Sequence, residues 1–460
     1  MNNFNFNEII QNYKEEFLKD LNELLSIKSV SAEGSEITSQ ALDWILQKAE
    51  SFGLKTKNID GIAGHAEYGY GELLCGVLTH LDVVPASRND WSCEPFALTR
   101  KNGRLYGRGL ADDKGPALAA LYCLRALKEC GIKGNKVRVI FGTSEEIGMK
   151  DMTTYFQQSP VPDLSFTPDS EYGICKAEKG ILHLEISSPI SDNTTLTQFY
   201  AGTANNVVPD TAYALVDCSE YEETILQRLA DGRKGNFELT FTIDGLKITS
   251  RGLAAHACEP EKGFNAAAAL IKLICTALGY EATGSLCSFI DFCVGMETNG
   301  LSMGIKMKDD ISGDLTLTLS RVSIIESEAK AVFDIRYPVS FTEEKILTQI
   351  QKNADREGLT VKVLDSEKPL FLDESTDIVR ILKKAYANVM NEEPKMFTTG
   401  GGTYARMLCG KGVAFGPVFE NDDSRIHNTD ESLDEDNFFR HFRICVEAMY
   451  QMMIFKNSEE

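Results

Sequence analysis

Apolar residues recur along the chain with two different periods, and these periods predict helices and buried strands. Residues 8–27 carry apolar side chains at spacings of three and four, which is typical of an amphipathic helix. Residues 35–53 end on glycine, and residues 115–131 have proline in the first turn and glycine after the last, so both predict helices. Residues 71–84 and 135–144 are nearly continuous apolar runs, as in strands buried on both faces. This alternation indicates an α/β domain with a mixed, mostly parallel sheet and helices on both faces.

The pattern changes between residues 184 and 370. Segments that alternate polar and apolar residues, such as 236–250 and 328–338, predict strands with one exposed face. They lie among helix-like segments such as 265–278, and a long helical pattern returns at 375–390. Strands and helices mixed in this way predict an α+β domain with antiparallel sheets, inserted into the α/β domain.

Composition and charge exclude several classes of protein. The 460 residues are enough for two to four domain-sized units. A formal net charge of −21 argues against nucleic-acid partners, because such binding needs a basic surface. The sequence shows neither a signal peptide nor an apolar run of about 20 residues, so we expect no membrane association and a cytoplasmic location. The 12 scattered cysteines contain no C-x-x-C and are expected to be reduced and packed.

Acidic and histidine side chains follow the predicted buried strands or open the predicted buried helix. They are His80 and Asp82, Asp112 and Asp113, Glu145 and Glu146, and Asp169. Ligands in open α/β sheets gather at the carboxyl ends of the strands, so we expect these side chains to converge. Each pair of carboxylates about 4 Å apart would repel by about 4 kcal/mol at an effective dielectric near 20. Two divalent cations would relieve that repulsion.

Carboxylate oxygens together with imidazole nitrogens suit zinc, and manganese or cobalt in the same geometry. A further histidine should complete the ligand set, and His427 is the candidate near the C-terminus. Each feature alone has a simpler interpretation: paired glutamates are common on exposed helix faces, and acids at a helix start complement its dipole. The conjunction favours a metal site. His65, His183 and His441 lack such a setting and are interpreted as structural or surface residues.

Five motifs resemble those of the M20 metallopeptidase family. The segments THLDVVPA, GRGLADDKGP, GTSEEIGMKD, TPDSEYG and GGGTYARML…GVAFGP…HN occur in the family's order, and the resemblance covers residues 10–455. LYGRGLADDKGP and GGGTYAR look most like its PepV-type bacterial dipeptidases. The departures are small: Thr79 stands where relatives usually have glycine, and NTDE follows His427 instead of QANE.

The resemblance implies a site for two divalent metal ions. His80 and Asp169 would hold one ion, Glu146 and His427 the other, and Asp112 would bridge both. The peptide bond between Asp112 and Asp113 is often cis in relatives. Asp82 would orient His80, and Glu145 would act as general base while a metal-bound hydroxide attacks the peptide carbonyl.

The resemblance also implies substrate-facing residues in the middle domain. His256 would help to stabilise the oxyanion, and Asn206 and Arg336 would contact the substrate. A guanidinium binds carboxylates bidentately, so Arg336 suits the C-terminal carboxylate of a dipeptide. The glycine run, Gly400, Gly401 and Gly402, would offer backbone N–H groups to the same anion or serve simply as a flexible turn.

These implications lead to one expected function and two alternatives. We expect a metal-dependent dipeptidase with a discontinuous catalytic domain, residues 1–183 and 371–460, and a lid, residues 184–370. In PepV-type relatives an enlarged lid replaces a dimer partner, so a monomer is expected and a homodimer stays open. One alternative is an N-acyl amino acid deacylase of the acetylornithine deacetylase or succinyl-diaminopimelate desuccinylase type. The other is a relative that binds metal or peptide without catalysis.

Overall fold

The chain folds into two compact units. The computed structural model describes residues 5–189, 194–232, 236–325 and 328–456. The first unit comprises the described residues of Met1–Lys176, Phe371–Phe397 and Gly402–Glu460, and the second comprises those of Ala177–Leu370 and Thr398–Gly401.

The helices follow the predicted periodic segments. In chain order they are α1 (Phe6–Ser26), α2 (Ser35–Ser51), α3 (Lys114–Glu129), α4 (Lys150–Gln158), α5 (Glu220–Asp231), α6 (Ala266–Leu278), α7 (Tyr280–Thr283), α8 (Ser285–Cys293), α9 (Glu343–Arg356), α10 (Asp377–Met390) and α11 (Glu435–Ile454). Two of these helices illustrate the agreement: α2 begins at the predicted residue, and α3 lies within 115–131 apart from its first residue. Among the described residues, no helix is long and apolar enough to cross a membrane.

The strands are mostly short. In chain order they are β1 (Lys55–Ile59), β2 (Ala63–Tyr68), β3 (Leu74–His80), β4 (Thr99–Lys101), β5 (Arg104–Tyr106), β6 (Lys136–Gly142), β7 (Leu164–Thr167), β8 (Ser170–Glu171), β9 (Ile174–Glu178), β10 (Gly180–Pro189), β11 (Leu196–Ala201), β12 (Thr211–Val216), β13 (Asn236–Thr242), β14 (Gly245–Arg251), β15 (Lys308–Asp309), β16 (Gly313–Asp314), β17 (Thr316–Ile325), β18 (Glu328–Tyr337), β19 (Thr360–Glu367), β20 (Leu370–Phe371), β21 (Met396–Thr399), β22 (Gly412–Ala414), β23 (Pro417–Val418) and β24 (Ser432–Asp434).

The first unit is built on a mixed sheet, as the fold class predicted from the sequence requires. Its strands run in the order β1-β2-β6-β3-β7-β22, and the pairs joining β6, β3, β7 and β22 are parallel. The outer pairs, β1–β2 and β2–β6, are antiparallel. All seven residues of β3 are buried, which explains its continuous apolar sequence. The parallel strands therefore occupy the centre of the sheet.

The second unit carries an antiparallel sheet in the order β13-β14-β12-β11-β17-β18-β10-β19. Its core joins buried strand residues to the apolar faces of α5, α6, α8 and α9. The segment 236–250, interpreted above as a single strand, is two strands joined by a tight turn before Gly245, whose φ is +127°. Asp244-Gly245 is the turn signal that the alternating pattern concealed, because the alternation runs on through the hairpin.

Candidate metal centre

The central parallel strands deliver the site residues to one edge of the sheet. β3 pairs in parallel with β6 on one side and β7 on the other, so the three carboxyl ends lie together. His80 is the last residue of β3, Glu145 follows β6 by three residues, and Asp169 follows β7 by two. The sequence expectation that these residues converge is met by this register.

Asp112 reaches the same edge from the loop before α3. It is 7% exposed, and its peptide bond to Asp113 is cis, as the resemblance implied. Asp113 precedes the first residue of α3, and its Oδ2 accepts the backbone N–H of His80 at 3.0 Å. This bond ties the loop to the end of β3.

Asp112 lies between two imidazoles. His80 Nε2 is 2.8 Å from Asp112 Oδ1, and His427 Nε2 is 2.9 Å from Asp112 Oδ2. His427 Nε2 is also 3.0 Å from Glu146 Oε1, and His80 Nε2 is 3.9 Å from Asp169 Oδ2. The five residues named above as metal ligands thus form one continuous cluster, with Asp112 at its centre.

Two sets of possible ligand atoms share His80. One comprises His80, Asp112 and Glu146, and the other His80, Glu145 and Asp169; in each set the atoms lie within 4.8 Å of one another. Glu145, like Glu146, therefore lies within this distance of possible ligand atoms. The resemblance implied a different division. In it, His80 and Asp169 would hold one ion, Glu146 would bind the other, and Glu145 would bind no metal.

The carboxylate of Asp82 holds the turn that carries both glutamates. Its Oδ1 accepts the N–H of Glu145 and its Oδ2 accepts the N–H of Glu146, each at 3.1 Å. His80 Nδ1 lies 2.9 Å from the backbone carbonyl of Asp82 and 3.4 Å from its Oδ1. Asp82 thus contacts the imidazole mainly through its backbone, and its side chain serves the neighbouring turn.

A buried acid that the sequence analysis did not name supports the loop of Asp112. Glu431 is fully buried; its Oε1 accepts the N–H groups of Ala111 at 2.8 Å and Asp112 at 3.3 Å. Its Oε2 accepts from Gly109 N–H at 3.1 Å and from Arg108 Nη1 at 2.6 Å. In the sequence, Glu431 is visible only as the glutamate of NTDE after His427, and no helical or strand pattern marks it as buried.

The acids of the cluster repel one another strongly. Burial and the negative charge of Asp112 raise the pKa of Asp169 to about 8, and burial with the charge of Asp169 raises the pKa of Glu145 well above its usual range. Burial alone would lower the pKa of His427, but its hydrogen bonds to Asp112 and Glu146 raise that pKa to about 11. Cations would relieve this repulsion. The oxygen and imidazole donors therefore fit divalent metal ions.

His256 lies in the second unit, next to Asn206. The backbone carbonyl of Asn206 accepts the N–H of Ala257 at 2.8 Å, and Val207 forms an isolated β-bridge with His256. The Nδ1 of His256 accepts the backbone N–H of Cys258 at 3.2 Å. Because a backbone N–H can only donate, the proton of the neutral ring lies on Nε2.

Arg336, also in the second unit, is 4% exposed and bound by its neighbours. Its Nε and Nη2 each donate to Asp334 at 2.6 Å, and its Nη1 donates to the carbonyl of Gly400 at 3.1 Å. His183 Nε2 lies 2.9 Å from Asp334, and this bond outweighs burial and raises the pKa of His183 to about 9. His183 thus has a charged hydrogen-bond partner, which agrees with its interpretation as a structural residue.

The glycine run spans the division between the units. Gly400 and Gly401 belong to the second unit and Gly402 to the first. A Cβ at Gly400 would lie 2.6 Å from the Cβ of Cys258, so only glycine fits there. The N–H of Gly401 donates to Thr399 Oγ1 at 3.0 Å. Whether these glycines bind an anion stays a prediction.

The comparisons with known proteins give one matching family and relatives named as dipeptidases. The chain matches the profile described as "Peptidase family M20/M25/M40" over residues 76–451. It is 32% identical over 459 residues to "Putative dipeptidase YtjP" of Bacillus subtilis (strain 168), with 95% of this chain and 97% of that protein covered. It is also 32% identical over 466 residues to "Putative dipeptidase SH1171" of Staphylococcus haemolyticus (strain JCSC1435), covering 97% and 99%.

Two solved structures share the fold at low identity. The di-peptidase Dug1p of Saccharomyces cerevisiae has a TM-score of 0.61 at 16% identity, covering 96% of this chain and 97% of that chain. Human carnosine dipeptidase 1 has a TM-score of 0.58 at 15% identity, covering 97% and 98%. At these identities the similarity shows the fold alone.

Proposed function

Because the chain belongs to peptidase family M20/M25/M40, we propose that this peptidase is a metal-dependent dipeptidase. The family and the enzyme class predicted from the sequence are confirmed, and the PepV-type subgroup stays a prediction. The observation that carries the proposal is the cluster at the sheet edge, where the ligand atoms of two imidazoles and four carboxylates lie within 4.8 Å of those of Asp112 or His80.

The five residues His80, Asp112, Glu146, Asp169 and His427 would hold two divalent ions, zinc being our expectation and manganese or cobalt the alternatives. Such ions, when bound, polarise the peptide carbonyl and lower the pKa of water at the site. The remaining steps belong to the side chains of the chain itself.

Glu145 is the proposed general base. Its carboxylate lies within 4.8 Å of ligand atoms of His80 and Asp169, so a water held there would be within its reach. It would take the proton as water attacks and pass it to the leaving amine. Asp82 contributes by accepting the backbone N–H of Glu145, which holds the start of that side chain in place.

The second unit is proposed to contribute substrate contacts. Because the Nδ1 of His256 accepts the N–H of Cys258, a neutral ring would carry its proton on Nε2, the form that could donate to an oxyanion. Arg336 has five N–H groups; among the residues that the structure describes, its bonds to Asp334 and Gly400 use three, and the other two are proposed for a substrate carboxylate. Asn206 stays a predicted substrate contact. In this proposal the second unit is a lid that limits substrate length.

A substitution at Glu145 tests the proposed mechanism. Glu145→Gln should lower kcat for dipeptides by about 10²- to 10⁴-fold, because the amide cannot take a proton, while the metal content stays unchanged. Steady-state kinetics and metal analysis measure both. Glu36→Gln, at an exposed position in the first turn of α2, is the control and should match the wild type. Full turnover by Glu145→Gln would exclude the general-base role.

A substrate panel separates the candidate functions. Free dipeptides should be hydrolysed in preference to tripeptides, C-terminally amidated dipeptides and N-acetyl or N-succinyl amino acids. Faster turnover of the N-acyl substrates would favour the deacylase, and metal binding without hydrolysis of any substrate would favour a binding protein. Size-exclusion chromatography with light scattering tests the expected monomer, and cell fractionation tests the expected cytoplasmic location.

A further inference from the structure

A second buried carboxylate lies beneath the turn that carries Glu145. Asp151, near the start of α4, is fully buried, and its Oδ2 accepts the backbone N–H groups of Thr143 at 2.6 Å and Ser144 at 2.8 Å. The same oxygen accepts the hydroxyl of Tyr404, and Oδ1 accepts the N–H of Met152 at 2.7 Å. None of these contacts belongs to the ligand set described above.

Asp151 and Asp82 together bind four consecutive N–H groups. Asp151 accepts those of residues 143 and 144, and Asp82 accepts those of residues 145 and 146. The turn also folds back on itself, because Met149 N–H donates to the carbonyl of Ser144 at 2.9 Å. The backbone leading from β6 to Glu145 is thus fixed by two side chains rather than by sheet pairing.

Tyr404 and Gly142 fix the position of Asp151 itself. Tyr404 is fully buried, and its hydroxyl lies against both Asp151 and the last residue of β6. A Cβ at Gly142 would collide with the Tyr404 hydroxyl and with Asp151 Oδ2, so glycine is needed for this approach. The ring of Tyr404 also meets the ring of His80 edge to face, with centroids 6.1 Å apart.

We propose that Asp151, with Tyr404, is a positioning residue for the Glu145 carboxylate. The proposal rests on the general-base role proposed above for Glu145. Asp151 touches no reacting atom; it acts by holding Thr143 and Ser144, and through them the place from which Glu145 reaches the substrate water. A small displacement of a catalytic group has a large effect on rate, because general-base catalysis depends on distance and alignment.

A double-mutant cycle with Glu145 tests the proposal. Asp151→Asn keeps one oxygen for the N–H groups of Thr143 and Ser144 and places an amide NH₂ group opposite the N–H of Met152. It also removes the charge that strengthens the bonds to the turn, which loosens the turn without emptying the site. It should lower kcat about tenfold and change KM by less than about twofold. Tyr404→Phe should lower kcat by about threefold, again with little change in KM, since it removes one hydrogen bond to Asp151.

In a Glu145→Gln background, neither substitution should lower kcat further, because the group they position is already inactive. Equal losses in both backgrounds would overturn the proposal and leave Asp151 as a structural residue. Failure of the proposed function is a separate result, in which Glu145→Gln alone retains full turnover. Hydrogen exchange of residues 143–149 should speed up in Asp151→Asn, with binding of added zinc unchanged.

The pair Asp20 and Tyr122 offers a matched control. Tyr122 is fully buried and donates to Asp20 Oδ2 at 2.6 Å, and this contact between α1 and α3 does not involve the turn. Asp20→Asn and Tyr122→Phe should lower the unfolding midpoint as much as the test variants do, while leaving kcat unchanged. A parallel loss of kcat in the control pair would show that general destabilisation explains the effect.

Discussion

Glu431 shows how much of the site depends on residues that do not touch it. Its two carboxylate oxygens accept four donors, from Arg108, Gly109, Ala111 and Asp112. All four bonds lie in the interior, where an unmet donor costs about 1–3 kcal/mol. Glu431 and Arg108 therefore hold the backbone from which Asp112 reaches both imidazoles.

Glu431→Gln tests this support at the residue scale. An amide has one oxygen, so its NH₂ group must face N–H donors on one side, and the loop of Asp112 should shift. We expect zinc affinity to fall about 10- to 100-fold, measured by calorimetric titration of metal-stripped protein.

Glu435→Gln is the matched control for that titration. Glu435 is 6% exposed and pairs with Arg100 and Lys14, away from Asp112. Its substitution should leave zinc affinity unchanged. If both glutamine variants bind zinc like the wild type, Glu431 has no influence on the metal centre.

At the scale of elements, one buried histidine joins a strand to a helix, and another joins a helix to the segment between β8 and β9. His65 on β2 lies with Nδ1 2.8 Å from the Tyr155 hydroxyl on α4, and His441 on α11 lies 2.9 Å from the Tyr172 hydroxyl. Burial lowers the pKa of each to about 3, and the charges of Arg138 and Lys57 add to the effect at His65. Both were interpreted from the sequence as structural or surface residues; burial supports the structural interpretation.

These pKa values predict a loss of stability in acid. The unfolded imidazole binds a proton below pH 6.5, whereas the folded one stays neutral down to about pH 3. The free energy of unfolding should therefore fall as the pH drops from 6.5 towards 3, by about 1 kcal/mol per pH unit for each histidine. Urea unfolding in saturating zinc, at pH values from 7 to 5, measures this fall.

The variant His65→Asn isolates one histidine. It keeps a side-chain acceptor for Tyr155 but has no group that titrates in this range. It should be less stable than the wild type at pH 7 and lose less stability between pH 7 and pH 5. If the variant and the wild type lose the same stability between pH 7 and pH 5, His65 does not cause the loss of stability in acid.

At the scale of the whole molecule, the proposed metal ligands come from distant parts of the chain. His80 and Glu146 precede the second unit in the sequence and His427 follows it, yet all three belong to the first unit. Ions that bind only the folded first unit should stabilise it, by about 2.7 kcal/mol at a hundredfold excess over the dissociation constant.

Removal of metal should therefore lower the melting temperature. Calorimetric scans of zinc-loaded and chelator-treated protein should differ by several degrees, in the transition that unfolds the first unit. His427→Ala is the control, because its side chain is 42% exposed and its loss removes a proposed ligand without opening the core. Its melting temperature should respond less to the chelator. Equal responses would show that His427 binds no metal.

The sequence determined the elements and the chemical content of the site. Helical patterns identify α1, α2 and α3, and continuous apolar runs identify β3 and β6. These patterns are readable because the spacing of apolar residues along the chain decides which face of an element is buried. The motifs identify His80, Asp112, Glu145 and their neighbours as a group, since each follows a buried strand or opens a buried helix.

Only the tertiary structure decided how these residues are held. Asp82 gives its carboxylate to the turn of Glu145, Asp151 and Tyr404 lie beneath that turn, and Glu431 supports Asp112. These hydrogen bonds join side chains to backbone groups or to other side chains, up to 320 residues apart. No periodicity records such bonds, because they depend on where loops meet after the sheet has formed.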